Sequence, residues 1–224
     1  MHFSLATNLL RLRPTAWPLW RSDARETKPI ASSSISTLND VELVQACLHE
    51  NPAALRELVE RFQTDVFSLC CRLLGDRHEA EDVAQEVFLR VFRSLRGWDT
   101  QRPLKPWVIG ITVNRCRTYL GKRARRPIPS AALQEQPARG TAPDDSEELL
   151  TEIKRALGGL RSEFQEVFVL YHEQGLPYEE IALAMERPVG TIKTWLHRAR
   201  LQVLQHLQVR GLVDEVAADE LSVV

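Results

Sequence analysis

Between Leu176 and Leu204 the apolar residues fall on two helical periods broken by one proline-marked turn, a spacing that leaves few folds open. Ile181, Ala182 and Met185 belong to one buried stripe, and Val189, Ile192, Leu196, Ala199 and Val203 to the next, with Glu186-Arg187-Pro188 as the tight turn between them. Two short helices joined in this way form a helix-turn-helix, whose second helix presents an open face. Here that face carries Lys193, Thr194, His197 and Arg198. No acidic residue occurs between Glu186 and Asp214, while Arg187, Lys193, Arg198, Arg200 and Arg210 all do. The segment therefore carries a positive field of the kind a phosphate backbone attracts.

The whole chain hides this polarity. Its 224 residues carry a net charge of −1, with 44% hydrophobic and 26% charged residues, an ordinary globular balance with room for one large or two small domains. The charge is segregated. Thr100 to Gln134 is free of acid but rich in Arg and Lys, whereas Glu79 to Glu86 and Asp144 to Glu152 are acidic, so two partners of opposite polarity are expected. Cys47, Cys70, Cys71 and Cys116 have no CxxC spacing and no histidine placed to complete a zinc site, and read as small core residues in a reducing cytoplasm.

Helical signals fill the first half. Asn39 with Glu42 predicts a capping box, and Asn51-Pro52 opens a helix that buries Leu55, Leu58, Val59, Phe62, Val66, Leu69, Cys70 and Leu73 before Gly75. Asp76 with Glu79 predicts a second capping box, opening a helix with Ala80, Val83, Ala84, Val87, Phe88, Val91, Phe92 and Leu95 at unbroken three-and-four spacing. A further helix is expected from Pro106 to about Gly121. Trp107 and Tyr119 on it read as core aromatics. Residues 127–145 are rich in Pro, Ser, Ala, Gln and Gly and read as a linker. Beyond it Asp145 with Glu148 fits a cap, and Ser162 with Gln165 opens a helix burying Phe164, Val167, Phe168 and Tyr171. An all-α chain of two small helical domains is expected, over 39–126 and 146–209. A first segment of 1–38 is assigned no fold and an acidic tail covers 210–224.

Three motifs in fixed order, EDVAQEVFLRVFRSL, then PWVIGITVNRCRTYL with KRARR, then LPYEEIA and PVGTIKTWLHRAR after a Pro-rich linker, resemble the extracytoplasmic-function (ECF) group of bacterial sigma-70 family transcription factors. The resemblance covers roughly 39–207. It implies that the first domain (region 2) docks on core RNA polymerase and opens the promoter's minus-ten element, and that the second (region 4) reads the minus-thirty-five element. Asp82, Gln85 and Glu86, on the face opposite the apolar stripe, align with the family's polymerase contact. On the minus-ten side stand Arg102, Lys105, Asn114, Arg115, Arg117, Lys122 and Arg123, Asn114 aligning with a position that lines a base pocket. The minus-thirty-five set is Arg187, Gly190, Thr191, Lys193, Thr194, His197 and Arg198. Core polymerase, promoter DNA and an anti-sigma factor are the implied partners, with no cofactor, no metal and no membrane insertion.

Two departures from the family pattern stand out: Pro177 replaces a capping Ser or Thr, and Trp195 stands where many members have a basic residue. A stand-alone operator-binding regulator is the competing reading, and it leaves the acidic face and the Asn114 helix without a task. The sequence holds no phosphate-binding glycine loop, nucleophile elbow, metal cluster or carboxylate pair, so neither a catalytic role nor a small-molecule substrate is expected.

Overall fold

The computed structural model describes residues 38–125 and 145–213, and all regular structure among them is helical. Helix α1 (Asp40–Leu48) starts on the expected reciprocal box: the Glu42 N–H donates to Asn39 Oδ1 at 2.9 Å and the Asn39 N–H to Glu42 Oε2 at 3.0 Å. Helix α2 (Pro52–Leu74) has Asn51 as its N-cap. It ends at Gly75, whose φ of 75° is the left-handed value that glycine adopts without a Cβ penalty. Helix α3 (Arg77–Ser94) runs into a single 3₁₀ turn, Leu95–Gly97. Helix α4 (Leu104–Ala124) crosses both α2 and α3.

The second group comprises α5 (Asp145–Gly158), α6 (Ser162–His172), α7 (Tyr178–Met185) and α8 (Val189–Val209). α7 and α8 are the helix-turn-helix. Between them Glu186 takes the left-handed conformation, φ 53° and ψ 47°, a cost of roughly 1–2 kcal/mol for a residue with a Cβ. The buried stripes are those expected, with Ile181, Ile192, Leu196, Ala199 and Val203 all at 1% exposure or less, except that Val189 is only half-buried.

Three local readings need correction. The Asp76 box is half formed. Asp76 accepts from the Glu79 N–H at 2.9 Å, but the Glu79 carboxylate turns away to Arg123 at 2.6 Å, because an ion pair to a neighbouring helix is open to it. α4 begins at Leu104, two residues before Pro106, and runs on to Ala124 rather than stopping near Gly121. Its first N–H is held by Asp40 Oδ2 of α1 at 3.2 Å, a cap supplied from a distant part of the chain, and Pro106 sits in the first turn, where a missing N–H costs nothing. Ser162 is not the cap of α6. Arg161 takes that position without a side-chain bond, and the Ser162 hydroxyl lies 3.4 Å from Glu163.

Polar groups tie the second group together. Glu152 on α5 accepts from Arg155 and lies 2.9 Å from His206 and 3.3 Å from Arg210 on or just beyond α8. The His206 contact, ahead of the arginines, holds its carboxyl below the usual carboxylate range. His172 closes α6 at 2% exposure, its Nε2 accepting from Arg200 Nε at 3.3 Å. Burial, and secondly Arg200, push its pKa down to about 3 from 6.5. The folded state thus refuses a proton that the unfolded chain takes up below pH 6.5. Stability is complete above that pH and is lost as the pH falls toward 3, by about 1 kcal/mol at pH 5.5. Urea unfolding at pH 7.0 and 5.5 is expected to show that part of the loss vanishing in His172→Phe; an unchanged pH dependence would mean His172 is protonated in the fold.

The extension 1–37, the linker 126–144 and the tail 214–224 lie outside the described residues. Cys47, Cys70 and Cys116 are buried and Cys71 half-buried, as the helical spacing requires. A hydrogen bond from Cys116, 3.8 Å away, and then burial raise the Cys70 thiol pKa; burial alone raises that of Cys47, so these sulfurs pack rather than react. Among the described residues no group of three His, Cys, Asp or Glu is placed to hold a metal, and no helix is long and apolar enough to cross a membrane.

Candidate nucleic-acid and polymerase interface

Because Ala80, Val83, Ala84, Val87 and Val91 turn one face of α3 into the core, the opposite face is left to Glu81, Asp82, Gln85 and Glu86, all exposed. Glu81 is paired with Arg77 one turn back, at 3.2 Å. Glu86 reaches across to α4 and binds the Arg115 guanidinium. A residue expected to face polymerase and one expected to face DNA are therefore bonded to each other. Asp82 and Gln85 make no side-chain hydrogen bond or ion pair among the described residues and stand open to a partner.

Between α3 and α4 lies a cleft of about 290 Å³ lined by Arg90, Ser94, Trp107, Ile111, Asn114, Arg115 and Thr118. Asn114 is exposed on its wall. Its backbone carbonyl accepts from the Thr118 hydroxyl at 2.8 Å, and its side-chain amide is uncommitted, with both a donor and an acceptor to offer. Trp107 is half-buried: it packs on the core as expected and also supplies an aromatic wall to the cleft, which a core role alone does not describe. Tyr119 is the core-packed aromatic foreseen. Arg115 closes one side, its Nε buried without a partner. An aromatic wall, an amide and two guanidiniums make a cleft suited to an unstacked base and its phosphate.

Sequence reasoning passed over Arg90 and Ser94. The signal was present, since Glu86, Arg90 and Ser94 are spaced by four and share one stripe of α3. That stripe reads as solvated surface until α4 is known to lie beside it. Leu89, 55% exposed, lies with Glu86, Arg90, Arg93 and Arg115 around an adjoining depression.

The remaining cations of the minus-ten set are not gathered on one open face. Arg102 pairs with Asp99 at 3.3 Å, Lys105 with Asp65 at 2.9 Å, and Arg123 with Glu79 and the Leu74 carbonyl. The Arg102 pair is more than half exposed on both sides, worth about 0–1 kcal/mol, so a phosphate displaces it at little cost. Lys122 is exposed and unpaired among the described residues. Arg117 points away from the cleft, donating to both carboxylate oxygens of Glu166 on α6 at 2.8 and 2.5 Å.

Apart from Arg187, which stands in the turn before it, the expected set does share a face of α8. Arg187, Gly190, Lys193, Thr194 and Arg198 are exposed, and Thr191 and His197 half-exposed. The N-cap Pro188 provides no side-chain bond, and the first intrahelical donors are Thr191 and Ile192, so the N–H groups of Val189 and Gly190 point outward at the positive end of the helix. A Cβ built on Gly190 would meet nothing within 4 Å, leaving room for another backbone to approach. The Lys193 ammonium sits 5.5 Å from the Tyr178 ring, and Tyr178 stacks on Tyr171, over which Arg200 lies at 5.1 Å. Trp195 is half-buried against the core, so its indole extends the packing of the domain and adds nothing to its charge.

A helical domain bearing a base-sized polar cleft, followed by a helix-turn-helix domain, defines a DNA-binding specificity factor. The family model for sigma-70 region 2 matches residues 58–126, and that for sigma-70 region 4 matches residues 150–203. The chain is 33% identical over 175 residues to the ECF RNA polymerase sigma-E factor of Escherichia coli K12, covering 73% of this chain and 91% of that one. It is 34% identical over 158 residues to the ECF sigma factor SigE of Mycolicibacterium smegmatis, covering 67% of this chain but only 60% of that longer protein. Two solved structures share the fold at 24% identity: CnrH in complex with the cytosolic domain of CnrY, TM-score 0.57 with 75% and 96% of the chains covered, and the Bartonella quintana sigma factor RpoE with the anti-sigma factor NepR, TM-score 0.55 with 69% and 96% covered. The chain belongs to the ECF group of the sigma-70 family of RNA polymerase sigma factors. Its activity is accordingly one of binding and promoter selection, with the chemistry of RNA synthesis left to the polymerase.

Proposed function

We propose that residues 39–126 dock on core polymerase through Asp82, Gln85 and Glu86 and trap unpaired minus-ten bases in the α3–α4 cleft, while residues 146–209 read the minus-thirty-five element with α8. The observation that carries this reading is the cleft itself, where Asn114 and Trp107 meet Arg90 and Arg115. A regulator working alone on duplex DNA has no use for a site of that kind. Base capture makes strand opening favourable because the unpaired state gains contacts that the duplex lacks. In this scheme Glu86 also orients Arg115 at the edge of the cleft, coupling the polymerase face to the DNA face. The linker, residues 127–145, connects the two anchored domains. The Bartonella quintana sigma factor solved with the anti-sigma factor NepR supports an anti-sigma partner here too, and action in the cytoplasm follows from promoter DNA as the target.

Asn114→Ala tests the cleft. Promoter binding by holoenzyme is expected to be nearly unchanged, with open complex reduced about tenfold, the effect of one lost base-edge contact of 1–3 kcal/mol. Permanganate reactivity of unpaired thymines measures this directly, and an unchanged open fraction would return Asn114 to ordinary helix surface. The operator-binding alternative requires a specific gel shift without polymerase.

A further inference from the structure

We infer that Asp40, at the start of α1, is a positioning residue for minus-ten selection: it fixes the exposed loop 99–103 at the end of the α3–α4 cleft. The inference rests on the minus-ten reading above. Ser94 on α3 and Trp107 on α4 both line the cleft, and the chain that joins them is the 3₁₀ turn, Trp98, this loop and the first turn of α4. The loop therefore closes that end of the cleft. Asp99, Thr100, Gln101, Arg102 and Pro103 are all exposed. The side chains of Thr100 and Gln101 make no hydrogen bond among the described residues, which leaves a hydroxyl and an amide for a base edge.

The shape of the loop is set locally, but its placement is not. Asp99 folds it, accepting from the Gln101 N–H through Oδ1 at 3.0 Å and from the Arg102 N–H through its carbonyl at 2.9 Å. Trp98, 7% exposed, anchors the entry. At the exit the N-cap of α4 is Pro103, whose side chain makes no cap bond. Asp40 supplies the missing acceptor from another helix. Its Oδ2 takes the Leu104 N–H at 3.2 Å, while its Oδ1 is held at 3.2 Å by Arg61 Nη1 of α2. Arg61 is itself fixed by the Leu38 carbonyl at 3.1 Å and by Glu57 at 3.2 Å. Leu104 is 0% exposed, so water does not stand ready to replace the carboxylate. A buried N–H without a partner bears its full desolvation cost, so without Asp40 the first turn of α4 shifts toward another acceptor and carries the loop with it. α1 also packs on the 3₁₀ turn, so both ends of the loop lean on one helix. A binding constellation tolerates displacements of only about 0.5 Å, which makes the brace a determinant of base preference.

Holoenzyme selection from a promoter library randomised at the minus-ten element, with open-complex yield on the preferred and next-preferred sequences, tests the assignment. Asp40→Ala removes the acceptor. It is expected to lower discrimination between those sequences about fivefold, the worth of a displaced base-edge contact, and to speed amide exchange at Leu104, with core-polymerase affinity and minus-thirty-five preference unchanged. Asp40→Asn keeps an oxygen that accepts from the Leu104 N–H and is expected to hold wild-type discrimination. A brace that served stability alone would lower open complex on every promoter by one factor and leave the ratio where it was. Should Asp40→Ala not fold, Asp40→Ser, too short to reach Leu104, takes its place. Unchanged discrimination in the folded variant, or an equal loss in Asp40→Asn, overturns the positioning role. Absence of minus-ten discrimination by wild-type holoenzyme overturns instead the reading on which it rests.

Discussion

Asp82→Arg is expected to weaken binding to core RNA polymerase by ten- to a hundredfold, about 1.4–3 kcal/mol, without unfolding α3. Asp82 is exposed and bonded to nothing among the described residues, so reversing its charge changes only what the helix shows to a partner. Glu86→Arg is a poorer probe, because it sets two guanidiniums against each other where Arg115 now has its carboxylate, and so perturbs the cleft as well. Titration of core polymerase with labelled chain measures the loss. An unchanged affinity in folded Asp82→Arg would move the polymerase contact off this face.

The second large effect concerns α8. Lys193 lies one turn into the helix and Arg198 more than a turn further on, both exposed on the face that carries Gly190 and Thr194. Recognition helices meet base edges near their N-terminal end. Lys193→Ala is therefore expected to cost about 1–3 kcal/mol and to relax preference at one or two adjacent positions of the minus-thirty-five element. Arg198→Ala is expected to weaken all sequences alike and to lower the salt slope by about one, as loss of a phosphate contact does. Selection from a randomised minus-thirty-five library at two salt concentrations separates the two. Wild-type preference and affinity in both variants would show that α8 is not the reader.

Where the physics is local, residues alone were enough to foresee it. The Asn39 box, the Gly75 stop and the burial of Ile192, Leu196 and Val203 depend on contacts within a few positions, and each was foreseen. What stayed hidden depends on which helices end up side by side. Glu79 abandons its own helix start for Arg123, 44 residues on, and Asp40 caps α4 from 64 residues away. The stripe Glu86, Arg90, Ser94 becomes half of a cleft only because α4 lies against it. The basic run from Thr100 to Gln134 contains no acidic residue of its own. The structure instead distributes its charges among Glu86, Asp65, Glu79 and Glu166, since an exposed cation near a carboxylate pairs before any DNA arrives. Gly110 is the plainest case: a glycine inside a helix looks like a weakness until α7 is found against it.

In-vitro transcription from a library of promoters with randomised minus-ten and minus-thirty-five segments, using core polymerase with and without this chain, tests the central claim most directly. Added protein is expected to direct initiation to a narrow subset sharing both elements, with the minus-thirty-five preference altered by Lys193→Ala and open-complex yield, at unchanged selection, lowered by Asn114→Ala. Transcripts indistinguishable in kind and amount from those of core polymerase alone would contradict it.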